Sequence, residues 1–110
     1  MTEGIERLWA AKQRMGGLAK AAPELMKGFA AVSQAATKPG HFDAAERELL
    51  AVAIAVATRC DDCILYHVDA ARRHGAGEAA LVEALEVAVE MGGGPAVMYA
   101  GRALEAFRAD

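Results

Sequence analysis

At 110 residues the chain has room for one hydrophobic core and no second one. Its formal charge is −3, and its basic residues are scattered, with only Arg72 and Arg73 adjacent. That leaves no basic stripe for a phosphate backbone and excludes nucleic acid as a partner.

Hydrophobic residues make up 55% of the chain but aromatic ones only 5%, so much of the apolar content is alanine. With Lys, Arg and Glu as the main charges, this composition predicts packed helices rather than sheets. So small a chain cannot cover that much apolar surface alone, which predicts self-association.

Residues from about 4 to 36 carry helical patterns, broken near Gly16-Gly17 and again at Pro23. Pro23 suits the first turn of a helix running to about Thr37, with Leu25, Met26, Phe29 and Val32 as its apolar side. Lys38-Pro39-Gly40 stops that helix. Asp43, with Glu46 three residues later, predicts a capping box at the head of a helix over about 44–59. This helix is apolar nearly all round after Leu49 and is expected to be the most buried element.

A further helix is predicted from Cys60, or just after it, to about His74, where Gly75 and Gly77 end it. Another covers about 78–91. The tract Gly92-Gly93-Gly94-Pro95 predicts a hinge, and Pro95 starts a last helix over about 95–108. No strand-like alternation or internal repeat is present. The longest apolar run, Leu49 to Ala57, is about half of what a membrane-spanning helix needs. The N-terminal stretch, with Glu3, Glu6, Arg7 and Lys12, lacks a secretory apolar segment. The expectation is a cytoplasmic protein without a membrane partner.

The two cysteines, Cys60 and Cys63, are the only ones in the chain. In a reducing compartment a permanent bridge is disfavoured, and one spanning two intervening residues would add little fold stability. The spacing points instead to redox chemistry or a metal. Cys60, Cys63 and His67 stand at i, i+3 and i+7, one stripe of a helix, so the imidazole can approach either sulfur. Cys60 falls at the helix N-terminus, where free N–H groups and the macrodipole favour a thiolate. His67, one turn beyond Cys63, can take that thiol's proton, which makes Cys63 the expected attacking residue and Cys60 the resolving, more exposed one. The helix terminus pulls the other way, towards Cys60 as the stronger thiolate.

Glu48 lies twelve residues before Cys60, about 18 Å away were the helix straight. If the chain turns near Cys60 and the next helix runs back alongside, His67 comes level with Glu48, within reach through one water. Glu48 would then orient or deprotonate His67, and His67 would serve the cysteines.

Plainer readings of these residues stand beside that one. The cysteines could be small buried hydrophobes, or, with His67, three ligands of a zinc site for which no further cysteine offers the fourth. Trp9, Phe29, Phe42, Tyr66 and Tyr99 read as core or interface, with Tyr66 and Phe42 able to flank an access path. His41 reads as a surface residue and His74 as a helix C-terminal one.

Glu48, eleven residues, Cys60-Asp61-Asp62-Cys63, three residues and His67 together resemble the AhpD-like alkylhydroperoxidase branch of the carboxymuconolactone decarboxylase family. Gly92-Gly93-Gly94-Pro95, followed by Val97, Met98 and Tyr99, is also similar to short members of that group. The resemblance covers about residues 40–108. It implies a single all-α domain of about six helices, assembled into trimers or hexamers. The implied activity is reduction of hydrogen or organic peroxides by the cysteine pair, which an external dithiol, such as a lipoyl-type one, then resets.

By the same resemblance Glu48, Cys60, Cys63 and His67 take the family's catalytic positions, with no cofactor and no metal. No nicotinamide or flavin fingerprint follows a strand here. The decarboxylase branch generally lacks the cysteine pair, so the motif argues against lactone chemistry. Asp61 and Asp62 depart from relatives that often carry an aromatic or a histidine between the cysteines. Two carboxylates there disfavour a neighbouring thiolate, although they stabilise the helix start. Two other functions fit the same residues: a disulfide reductase or redox sensor without efficient peroxide turnover, and a non-catalytic helical oligomer or metal-binding protein.

Overall fold

Residues 3–109, the part of the chain that the computed structural model describes, form six helices and, among themselves, no strand. They are α1 (Glu3–Ala21), α2 (Pro23–Thr37), α3 (Ala44–Ala57), α4 (Asp61–Arg73), α5 (Glu78–Gly92) and α6 (Gly94–Arg108). The expected all-α class and number of helices are those observed.

The break expected at Gly16-Gly17 is absent, and α1 runs straight through both residues. A Cβ at either position would meet nothing within 4 Å, so neither glycine serves packing. Each costs only about 1 kcal/mol relative to alanine, too little to interrupt a helix of otherwise good formers. Pro23 does separate α1 from α2 and occupies the first turn of α2, where its missing N–H is not needed.

Asp43 caps α3 through a complete capping box. Its side chain accepts from the Glu46 N–H at 2.7 Å, and Glu46 Oε1 accepts from the Asp43 N–H at 2.9 Å. At the other end, Arg59 N–H donates to Val56 O and Cys60 N–H to Ala55 O, the paired bonds of a Schellman stop. Arg59 holds the left-handed position of that stop (φ 59°), where glycine is the usual occupant. The reversal is tight enough that Cys60, which closes α3, also serves as the N-cap of α4. A second stop of the same form, with Gly75 at φ 92°, ends α4.

Helices α3 to α6 enclose the core. Val52, Val56, Ile64, Val68, Ala71, Leu81 and Ala103 are all nearly inaccessible. Small residues permit close approach at the α5–α6 corner. A Cβ on Gly92 would stand 2.7 Å from the Ala96 Cβ and 3.6 Å from the Ala57 Cα. The expected hinge is a one-residue corner at Gly93 (φ 70°).

Burial is incomplete in the first three helices. Helix α3 is not buried all round, because α4, α5 and α6 cover one side and leave Leu50 and Ile54 exposed. Helix α2 buries no residue, and its apolar side chains Leu25, Phe29 and Val32 are exposed. Trp9 and Phe42, expected in the core or at an interface, are exposed as well, while Tyr99 packs against the core. Among the described residues no helix is long and apolar enough to cross a membrane.

Candidate active site

The site forms where α4 begins and folds back along α3. Cys60, as N-cap, places its sulfur to accept the Cys63 N–H at 3.3 Å. Cys60 and Cys63 are joined in a disulfide, so the structure represents the oxidised pair. Both sulfurs are consumed in that bond. Among the described residues no group of three His, Cys, Asp or Glu is arranged to hold a metal ion.

The fold-back brings Glu48 on α3 to His67 on α4. Their side chains meet directly, His67 Nδ1 to Glu48 Oε2 at 2.7 Å, without the water that sequence spacing alone suggested. Glu48 is the one charged residue buried among those described, its side chain only 7% exposed. A carboxylate taken out of water at such a place needs a partner, and His67 supplies it. If Nδ1 donates to the carboxylate, Nε2 is left as the lone-pair nitrogen, so the carboxylate fixes both the tautomer and the ring orientation. The Tyr66 ring lies edge-on to His67 with centroids 5.1 Å apart, and Lys12 Nζ stands 5.7 Å from the Tyr66 centroid.

A cleft of about 410 Å³ opens beside this group. Cys63, Tyr66 and His67 line it from α4, and Ala11, Met15, Leu18 and Phe29 give it an apolar wall from α1 and α2. Arg14, Ser33 and Asp62 are its polar members. Both cysteines are half-buried, but Cys63 lines the cleft and Cys60 does not. Phe29 thus belongs to the cleft, and Phe42 is not among its lining residues. His41 and His74 are exposed, His74 as the C-cap of α4.

The two carboxylates between the cysteines are not left unbalanced. Asp61 is paired with Arg7 from α1 and with Arg102 from α6, the latter at 3.2 Å. Asp62 accepts from Arg14 Nη2 at 2.9 Å. Sequence reasoning missed these arginines because the partners stand 54, 41 and 48 positions apart. One signal was available: Arg7, Ala11, Arg14 and Leu18 recur at i, i+4, i+7 and i+11, a single stripe of α1.

Comparison with known proteins places this chain among relatives. The sequence model described as the carboxymuconolactone decarboxylase family matches residues 23–106, from the start of α2 into α6. An uncharacterized protein from Cupriavidus necator is 47% identical over 103 residues, covering 94% of this chain and 91% of its own. A crystal structure of a carboxymuconolactone decarboxylase family protein from Legionella pneumophila superposes with a TM-score of 0.91 at 42% identity, covering 96% of this chain and 94% of that one. A further family member, from Thermotoga maritima, is described as a candidate for involvement in antioxidative response. It superposes with a TM-score of 0.81 at 27% identity, covering 91% and 86% of the two chains.

Proposed function

The chain belongs to the carboxymuconolactone decarboxylase family, and from that premise we propose that it is a thiol-dependent peroxidase of the AhpD-like kind. The observation that carries this reading is the shared cleft: Cys63, half of a disulfide-forming pair, and the Glu48-bound His67 line one apolar cavity. An apolar wall suits the organic part of a hydroperoxide, and a cysteine beside a histidine suits attack on its O–O bond. The antioxidative-response description of the Thermotoga relative points the same way.

In this reading Cys63 loses its thiol proton to His67, which Glu48 holds in place. The Cys63 thiolate attacks one peroxide oxygen. An S–O bond forms, the O–O bond breaks, and the leaving oxygen takes a proton to depart as alcohol or water. Cys63 is then a sulfenic acid. Cys60 loses its thiol proton and attacks that sulfur, an S–S bond forms, the S–O bond breaks, and the leaving hydroxide takes up that proton to depart as water. The product is the disulfide seen here. An external dithiol, as a cytoplasmic setting would supply, returns both cysteines to thiols while becoming a disulfide itself. Cys60 takes the resolving role because it lies off the cleft. The N–H it receives from Cys63 supports a stable thiolate during reset.

Assembly into a homo-oligomer, a trimer or hexamer by the family resemblance, belongs to the same proposal. Leu50, Ile54, Met91 and Met98 are all at least half exposed, more apolar surface than a small monomer ordinarily leaves wet.

The deciding experiment follows thiols and peroxide together. One equivalent of peroxide should convert the two thiols of the reduced protein to an intramolecular disulfide, and a dithiol should restore them. With dithiol in excess, peroxide should be consumed continuously. A thiol count unmoved by excess peroxide would defeat the proposal. Reversible oxidation by a disulfide, with no peroxide consumption, would assign the pair to disulfide reduction instead.

A further inference from the structure

Helix α1 lies outside the stretch that the family model matches, yet it meets the cysteine motif at two points. Arg7 reaches Asp61 and Arg14 reaches Asp62, the two carboxylates enclosed between Cys60 and Cys63. Arg102 of α6 also reaches Asp61, at 3.2 Å.

The ionisable groups around the pair come from several elements. Asp61, Asp62, Tyr66 and His67 stand on α4, and Glu48 on α3. Arg59 is in the preceding turn. Lys12 lies with Arg7 and Arg14 on α1, and Arg102 on α6. Left unpaired, the carboxylates of Asp61, Asp62 and Glu48 would all oppose a thiolate nearby. Glu48 is answered by His67. The other two are answered by arginines, whose charge is fixed at any pH the protein meets.

We propose that Arg7, Arg14 and Arg102 are positioning residues for the thiol pair, acting through Asp61 and Asp62. By neutralising the carboxylates built into the motif, they let a thiolate form at neutral pH where the bare motif would resist it. The α1 helix thus sets the charge balance of the site, besides walling its cleft. The two aspartates differ in redundancy. Asp61 has two arginines and Asp62 has one, so Arg14 carries the largest single share. Side-chain exposure of Arg14 and Asp62 is 62% and 55%, so the effect is moderate and open to screening by salt.

This inference rests on the thiol-redox reading but needs no peroxide, so its test stands apart from that of turnover. The reduced protein is alkylated with iodoacetamide across a pH series at low ionic strength, each cysteine being followed by mass spectrometry. Arg14→Gln should raise the midpoint of the faster cysteine by about half a pH unit to one unit. At a pH below both midpoints this is about three- to tenfold less thiolate. Arg7→Gln should raise it less, and Arg7→Gln with Arg102→Gln should match Arg14→Gln. Adding Asp62→Asn to Arg14→Gln should return the midpoint to the parent value or below, and 1 M salt should shrink every shift.

A midpoint unmoved by Arg14→Gln overturns the proposal. So does a shift that Asp62→Asn fails to reverse, since the arginine would then act by holding α1 in place rather than by charge. Should Arg14→Gln fail to fold, Asp62→Asn alone decides. It should lower the midpoint, and no change counts against the proposal.

Discussion

The four-helix body, α3 to α6, and the N-terminal arm, α1 and α2, are stabilised by different physics. The body buries Val52, Val56, Ile64, Val68 and Leu81 almost completely, and its helices meet through alanines and Gly92. The arm buries only Ala11 among the described residues, while Trp9, Leu25 and Phe29 stay exposed. Its polar ties include two to the motif (Arg7 to Asp61, Arg14 to Asp62) and one from Arg47 Nη1, which donates to the Ala36 carbonyl at 2.9 Å. Yet the cleft needs both parts, with the reactive group on α4 and the apolar wall on α1 and α2. Stability therefore resides in the body, and the environment of the site is completed by the arm.

Truncating one leucine in each part tests this directly and should give the largest effect. Leu81→Ala, at a fully buried position, should cost about 2–5 kcal/mol in a denaturant titration. Leu25→Ala, on the exposed side of α2, should stay within about 0.5 kcal/mol. Equal losses would break the contrast. A Leu25→Ala loss that changes with protein concentration would sharpen it, by showing that the arm finds its core in a second copy.

Glu48→Gln probes the one place where the body carries a charge inside it. The substitution keeps the volume and an acceptor but removes the charge that holds the His67 tautomer. Peroxide consumption with a dithiol donor should fall by about 100-fold, the low end for a positioned proton-transfer group. The alkylation midpoint of the reduced cysteines should move with it. Unchanged rate and midpoint would reduce the Glu48–His67 contact to a structural bond of the core.

How far the sequence reveals this division follows from the range of the interactions. The α3 capping box, the proline start of α2 and the cysteine–histidine stripe each occupy a few consecutive turns, so local rules reach them. The Glu48–His67 contact was legible because a single reversal separates the residues, although its directness was not. Continuity through Gly16-Gly17 was not legible, because glycine in an open helical position is a small cost rather than a stop signal. Nor was the charge balance of Asp61 and Asp62. It depends on how α1 and α6 lie against α4, a tertiary fact that no local period encodes. Exposure of Leu50 and Ile54 escaped for a related reason: a helix apolar all round says nothing about how many neighbours its protomer can give it.

The smallest expected effect lies on the body's own surface, where Glu78 at the head of α5 and Arg108 at the end of α6 form a two-pronged ion pair, at 2.8 and 2.9 Å. Hydrogen bonding from Arg108 holds the Glu78 carboxyl below the ordinary 4.5; desolvation opposes it, and the Arg108 charge adds a lesser pull in the same direction as the hydrogen bond. A carboxyl lowered in the folded state contributes stability that is fully present above its unfolded value and is lost as pH falls through the folded one. The Glu78 carboxylate raises Arg108 above its ordinary value, so its contribution is complete throughout the working range. Glu78→Gln should therefore lower Tm at pH 7 by about a degree or two, since exposed pairs are weak. The gap to the parent should close as pH drops below about 4.5, or in high salt at pH 7. Thermal melts followed by circular dichroism from pH 7 to pH 3 would measure this. The result bears on the arm, because its arginines make the same kind of exposed pair with Asp61 and Asp62. A Glu78→Gln loss as large as that of Leu81→Ala would make such pairs structural anchors, and the arm would then be held as firmly as the body. A small, pH-limited loss leaves them as local charge compensation, the role assigned to Arg7 and Arg14 beside the cysteines.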